Sequence, residues 1–344
     1  MFTQLFEKMK KKEDIYQFFL NSAIYWFMFI IIVTIVALDI RFLSVENFSI
    51  MLTQAATRII FALGVGGIIV LGGTDLSVGR QVGLAAVLSA SLLQAVDYGR
   101  KIFPDLPQIP MILPIILVMV VCALFSLIQG VVVAKMRVAP FIASLGMNLV
   151  IYGVNSMYYN EVAGSAPIGG FDSRFTAFAQ QGIMIGNFKF YYIILWAAIV
   201  SVIVWFIWNK TVLGRNMYAI GGNRESAKVS GVNVIKNMLI IYVIAGLAYG
   251  FGGALEAART GSATNTLGAS YELDAIAACV VGGVSMHGGV GRVGGIVVGV
   301  LLFQIINYGL VFAGVSPDLQ YVVKGAIIIF AVAIDTQKYV SKED

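Results

Sequence analysis

"IIFALGVGGIIVL", Ile59 to Leu71, and "QVGLAAVLSASLL", Gln81 to Leu93, are separated only by "GGTDLSVGR", Gly72 to Arg80. Two apolar tracts around a polar, glycine-rich link are either core elements of a soluble domain or one hairpin of a membrane bundle. Composition decides between them. The chain has 344 residues, 59% hydrophobic and 12% charged, where a soluble domain carries about 25% charged. Its mean hydropathy is +0.88. The apolar runs also approach the roughly 20 residues that cross a hydrocarbon core as helix. The alternating segments of about ten residues that build a membrane barrel are absent.

About ten spans account for the pattern: 18–38, 48–72, 78–97, 112–134, 140–159, 191–208, 237–257, 272–286, 293–313 and 319–336. The expected fold is an all-α polytopic membrane protein. The second span begins amphipathically and the eighth is short, so either is a candidate for a broken or re-entrant helix. Residues 1–17 form a basic N-terminal segment with Lys8, Lys10, Lys11 and Lys12, 18–338 a single transmembrane domain, and 339–344 a tail. With the N-terminus in the cytoplasm, most of the 23 lysines and arginines fall inside, including Lys135, Arg137, Arg215 and Arg292. The positive-inside rule then places both termini in the cytoplasm. The net charge of +5 implies no nucleic-acid partner, because in a membrane protein the location of the basic residues carries the information.

Two connections stand out. The outer one, 160–190, contains "SAPIGGFDSRFTAFAQ". The inner one, 209–236, reads "NKTVLGRNMYAIGGNRESAKVSGVNVIK". Within the latter, Asn223 as N-cap and Gly231 as C′ residue predict a short polar helix over about 224–230. Such a helix is a contact for a cytoplasmic partner or a solvated loop.

Each ionisable group in or beside a span has a structural account. Glu256 and Arg259 pair at i,i+3. Glu272 and Asp274 sit in the first turns of a helix capped by Ser270, and Asp335 faces Lys338. Gly72, Gly73, Thr74, Asp75 and Gly79 read as a structural hinge in which Asp75, with Thr74, caps a helix starting near Leu76. A mid-membrane Asp75 facing a subunit interface would instead mean gating. Gly79/Gly83, Gly246/Gly250 and Gly291/Gly295/Gly299 are spaced for close helix packing on one face. "VLGGTDLSVGR" and "VVGGVSMHGGVGR" echo one another, as glycine-rich hairpins also do by chance. Cys122 and Cys279 lie in apolar runs as small hydrophobes.

Catalysis has little to draw on. Gly-Lys never occurs, so no phosphate-cradling loop is present. His287 is the one histidine, and no metal-binding spacing exists. No enzyme activity and no metal site is expected.

"GRNMYAIGGNRESAKVSGVNV" (214–234) and "GALEAARTGSATNTLGASYELDAIAACVVGGVSMHGGVG" (253–291) resemble the permeases of ABC importers of the ribose/galactose monosaccharide family. "GGTDLSVGRQVGLAAVLSASLLQ", "YGVNSMYY" and "APIGGFDSRFTAFAQ" look like its galactose branch, and the likeness spans about 20–338. The resemblance implies a multi-pass subunit of the bacterial cytoplasmic (inner) membrane, paired with a second permease copy. A cytoplasmic ATPase with two nucleotide-binding domains would drive it and an extracytoplasmic binding protein would deliver the sugar. It implies no cofactor in this chain, ATP and Mg being used by the ATPase. It also makes Gly222, Asn223, Arg224, Glu225, Ser226, Lys228, Ser230 and Gly231 the ATPase-coupling segment. In "SMHGGVGR", His287 and Arg292 stand where family members more often carry small or neutral residues, on the expected cytoplasmic side. A pentose or nucleoside importer and an ion-coupled carrier are the competing readings. Gln129, Asn148, Asn155, Gln304 and Asn307 are polar residues within spans, for lining a sugar path or for packing hydrogen bonds.

Overall fold

The computed structural model describes residues 26, 28–37, 39–186 and 188–340. The basic N-terminal segment and the start of the first expected span lie outside the described residues, and so do the side chains of the expected Asp335–Lys338 pair. The helices are α1 (Met28–Ala37), α2 (Val45–Val70), α3 (Val78–Leu92), α4 (Ile112–Ala134), α5 (Pro140–Ala163), α6 (Ser173–Gln180), α7 (Tyr192–Lys210), α8 (Val212–Gly222), α9 (Arg224–Val229), α10 (Val234–Thr260), α11 (Tyr271–Val281), α12 (Val293–Phe312) and α13 (Pro317–Val340). Strands β1 (Gly182–Ile185) and β2 (Phe188–Tyr191) precede α7.

Among the described residues each expected span overlaps a helix, the first only over Met28–Ala37. Five of these, α2, α4, α7, α10 and α12, are long and apolar enough to cross a membrane. Two expectations change and one is met. The second span is an unbroken helix of 26 residues, about 39 Å at 1.5 Å per residue. The third ends at Leu92 rather than 97 and has 15 residues, about 22 Å. The eighth stops at Val281 after 11 residues, so it is short as anticipated. The chain is also not wholly helical. Phe188 to Tyr191 pair antiparallel with Gly182 to Ile185, and with α6 they form a small folded cap in the connection expected as a loop. Ser49 Oγ donates to the Lys189 carbonyl at 2.6 Å and ties this hairpin to α2.

The chain divides into two units. In the larger, Val45–Leu301, α10 is central, packed along α4, α3 and α2. Gly246 and Gly250 make that possible: a Cβ on either would collide with the backbone of Cys122–Ala123 or Val118–Met119. Ala85, Ile115, Val118, Cys122 and Ala254 form an apolar cluster beside this seam. Gly295 and Gly299 meet Gly282 and Ala278 in the same way, but Gly291 lies before α12, so that triplet does not share a helix face. The outward faces of α4, α5 and α7 expose Leu117, Leu124, Phe141, Leu149, Val202 and Phe206. Apolar surface on that scale belongs against lipid or another protein.

The smaller unit takes the described residues up to Ser44 and from Leu302. There Asp39 caps a 3-10 turn, Ile40–Leu43, by accepting from the Arg41 amide. Phe42 packs on Tyr308 and Phe312 at ring separations of 6.2 and 5.7 Å.

Candidate coupling segment and buried polar cluster

The connection from Lys210 to Val234 folds as two short helices. The Thr211 hydroxyl accepts from the Gly214 amide at 3.3 Å and starts α8. Asn223 ends α8 and caps α9, its Oδ1 accepting from the Ser226 amide at 2.8 Å. Ser230 Oγ donates to the Ser226 carbonyl, and Gly231 leaves the helix at φ +83°, a conformation glycine adopts without cost. The sequence expectation for α9 is met. It misses α8, where Gly221 and Gly222 disguise a helical turn. Gly221 is required by contact: a Cβ there would overlap the Val70 carbonyl.

The two helices present different surfaces. Ala227 is the one buried residue of α9, while Arg224, Glu225, Ser226 and Lys228 are exposed and Val229 is 86% exposed. On α8, Tyr218 donates to the Gly291 carbonyl at 2.9 Å. Its burial raises the phenol pKa, and Arg292 nearby pulls it back. Gly289 donates to the Val70 carbonyl at 2.8 Å, so the turn 282–292 is seated on the end of α2, with His287 and Arg292 exposed. The two echoing hairpins are therefore in contact, Gly288 lying against Gly72. Arg224 donates to the Ala134 carbonyl at 3.3 Å. Between α9 and the ends of α4 and α10 opens a cavity of about 680 Å³, floored by Gly72, Gly73 and Tyr242.

Deeper in the unit lies a fully buried polar cluster. Asp75 Oδ1 accepts from the Ser77 amide at 2.9 Å and from Ser77 Oγ at 2.7 Å. Its Oδ2 accepts from the Tyr249 hydroxyl of α10 at 3.0 Å. Ser77 Oγ also meets Gln129 Oε1 at 3.0 Å and receives Gln81 Nε2 at 3.0 Å, and Gln81 Nε2 reaches Ser126 at 3.0 Å. The capping expectation for Asp75 is thereby corrected. The helix starts at Val78 with Ser77 at its N-cap, not near Leu76. Asp75 turns inward because Gly72, at φ +81°, directs the chain back into the bundle, where a bare carboxylate needs donors. Gly73 packs on Ile68, Gly79 on Gly268, and Thr74 is half-buried.

The five amides are dispersed. Gln129 joins the Asp75 cluster, and Asn148 donates to the Leu76 carbonyl at 2.6 Å. Asn155 is 1% exposed with neither polar side-chain atom hydrogen-bonded. Gln304 is buried and Asn307 half-buried on α12. Sequence reading did not anticipate Tyr249 and Ser77 as the partners of Asp75, nor Gln81 and Ser126 as members of the same cluster, because nothing local marks a tyrosine 174 positions away as its donor.

A second charged cluster surrounds Glu256, which is fully buried. Arg259 pairs with it at 2.7 Å, as expected from i,i+3 spacing. Thr57 and Tyr271 donate to the same carboxylate at 2.7 and 2.8 Å. Arg58 stacks on Tyr271 at 4.9 Å and approaches Asp274 at 3.9 Å. Ser270 does not cap α11 with its side chain, because its backbone is left-handed at φ 66°.

A family profile described as "Branched-chain amino acid transport system / permease component" matches residues 47–332. The chain is 54% identical to the galactose/methyl galactoside import permease protein MglC of Haemophilus influenzae, over 94% of this chain and 96% of that one. It is 53% identical to the Escherichia coli K12 protein of the same name, over 96% and 98%. Identity to the ribose import permease protein RbsC of Escherichia coli K12 is 35%, over 90% and 92%. No solved structure matches the chain. A profile match across the bundle, with near-full-length relatives, means that the chain belongs to this family of transport-system permease components.

Proposed function

We propose that this chain is the membrane permease subunit of an ATP-driven importer that passes galactose or methyl galactoside across the bacterial inner membrane. The observation that carries the reading is the 53–54% identity, over nearly the whole chain, to permeases named for those sugars, against 35% to a ribose permease. In this reading ten segments cross the membrane and both termini are cytoplasmic. Two copies flank the path, a binding protein delivers sugar from outside, and a double ATPase uses ATP and Mg inside.

The segment from Gly222 to Gly231 then couples the ATPase to the bundle. Its support is mechanical. α9 is capped at both ends and projects charged side chains, while α8 is pinned to the end of α2 and to the turn at Gly291. Force on α9 therefore reaches the link that carries Asp75. A nucleotide state can shift the bundle only by binding its two conformations unequally, and α9 is the surface through which that difference acts.

The test is reconstitution in vesicles with the cognate ATPase and binding protein. Labelled galactose should enter only with ATP, and the chain alone under an ion gradient should transport nothing. Glu225→Arg combined with Lys228→Glu should reduce ATP-driven uptake at least about tenfold, the scale of losing one or two charge-assisted contacts, with the permease still folded. Gradient-driven uptake by the chain alone would establish the carrier reading instead.

A further inference from the structure

We infer that Arg80, Tyr152, Asn155 and Glu272 form a transient subsite for a neutral monosaccharide within the membrane part of this chain. The inference rests on the importer reading above and gives it a place of contact.

Three segments converge there. Gly79 and Gly83 on α3 press against the carbonyls of Gly268 and Leu267, and a Cβ at either would collide with them. That approach brings the Glu272 carboxylate against Gly79, next to Arg80. Neither group belongs to an ion pair among the described residues. The Arg80 guanidinium lies instead over the Tyr152 ring of α5, 4.4 Å from its centre. Tyr152 is 38% exposed, so much of its ring is uncovered.

One turn along α5 is Asn155. It is 1% exposed, and neither Oδ1 nor Nδ2 has a hydrogen-bond partner. A buried amide left so is energetically costly, which implies a partner at some stage of the working cycle. Its Nδ2 lies 3.6 Å from where a Gly83 Cβ would stand, on the α3 face that also carries Arg80.

The chemistry matches one ligand class. A guanidinium and a carboxylate held near each other without pairing can each engage adjacent hydroxyls, and an aromatic ring accepts the C–H face of a pyranose. The site is neutral as a whole, so it attracts neither anions nor cations. Four contacts shared between open elements give weak binding, and a conducting path requires binding that is readily released.

The test is saturation-transfer NMR on the purified full chain in lipid nanodiscs, with methyl β-galactoside at millimolar concentration. Wild type should transfer magnetisation to the sugar. Arg80→Gln, Glu272→Gln and Tyr152→Ala should each reduce the effect about tenfold, the scale of one charged hydrogen bond or one aromatic platform, and Tyr152→Phe should retain it. Thermal unfolding of each variant controls for folding. Tyr152→Ala is the deciding variant, because its partly exposed side chain is removed without opening a core cavity. No transfer in wild type, or undiminished transfer in Tyr152→Ala and Glu272→Gln, would overturn the subsite. ATP-driven uptake by the complete importer is read separately, so the subsite can fail while the importer reading stands.

Discussion

Asp75 and Glu256 are both completely buried in the larger unit, and they are satisfied in opposite ways. Glu256 is held by an arginine on its own helix, with Thr57 and Tyr271 completing its shell. Asp75 is held by neutral donors only, two from Ser77 and one from Tyr249. An ion pair in a dry interior is stiff, since removing one partner strands a charge. Hydrogen bonds from neutral donors to a carboxylate are worth about 1.5–3 kcal/mol each, and exchanging one strands no partner charge. The comparison identifies the Glu256 cluster as an anchor among α2, α10 and α11. We propose that the Asp75 cluster is by contrast a joint, whose bonds to α4 and α10 can be remade. That joint lies behind Gly72 and Gly73, which floor the cavity beside α9.

The largest expected effect comes from breaking the anchor. Arg259→Ala should destabilise the chain by about 3–5 kcal/mol in detergent unfolding, as for other broken buried pairs. Adding Glu256→Gln should recover part of that, because the stranded charge is removed. Asp75→Asn should cost less, about 1–3 kcal/mol, and a double-mutant cycle with Tyr249→Phe should show coupling between them. If Asp75→Asn is as damaging as Arg259→Ala, the distinction between anchor and joint is wrong.

The smallest effect concerns a third acid, Asp172, which caps α6 beneath the half-exposed Arg174. Hydrogen bonds from Arg174, then from Gln108 and the Arg174 amide, hold its carboxyl well below the ordinary value of 3.8 against the opposing effect of burial. A lowered folded-state pKa contributes stability above the unfolded value and loses it as pH falls through the folded one. Amide exchange over 173–180 should therefore be insensitive to this group near neutrality and accelerate only below about pH 3.8. Arg174→Gln should flatten that acid dependence.

Much of the fold is legible in order along the chain. Spans 112–134 and 293–313 emerge within a residue of α4 and α12, because apolar runs bounded by polar turns specify helices wherever lipid supplies no partner for the backbone. The α9 caps are equally local, being Asn223 and Gly231 acting on their own neighbours. The β-hairpin is less legible. "GIMIGNFKFY" is short and lacks clear polar alternation, so its pairing emerges only from the register between its two halves.

The amino-acid sequence alone therefore determined the membrane bundle, its helical segments, the capped segment after Lys210 and the resemblance to sugar permeases, since each depends on composition or on residues a few positions apart. Only the tertiary structure decided what "GGTDLSVGR" does. Asp75 faces inward to Tyr249 rather than capping the following helix, Gly79 brings Glu272 beside Arg80, and Asn155 lies buried without a partner. The reason is physical. In a bundle, a polar group is defined by whichever donor or acceptor a distant helix brings within about 3 Å, and no local pattern records that distance.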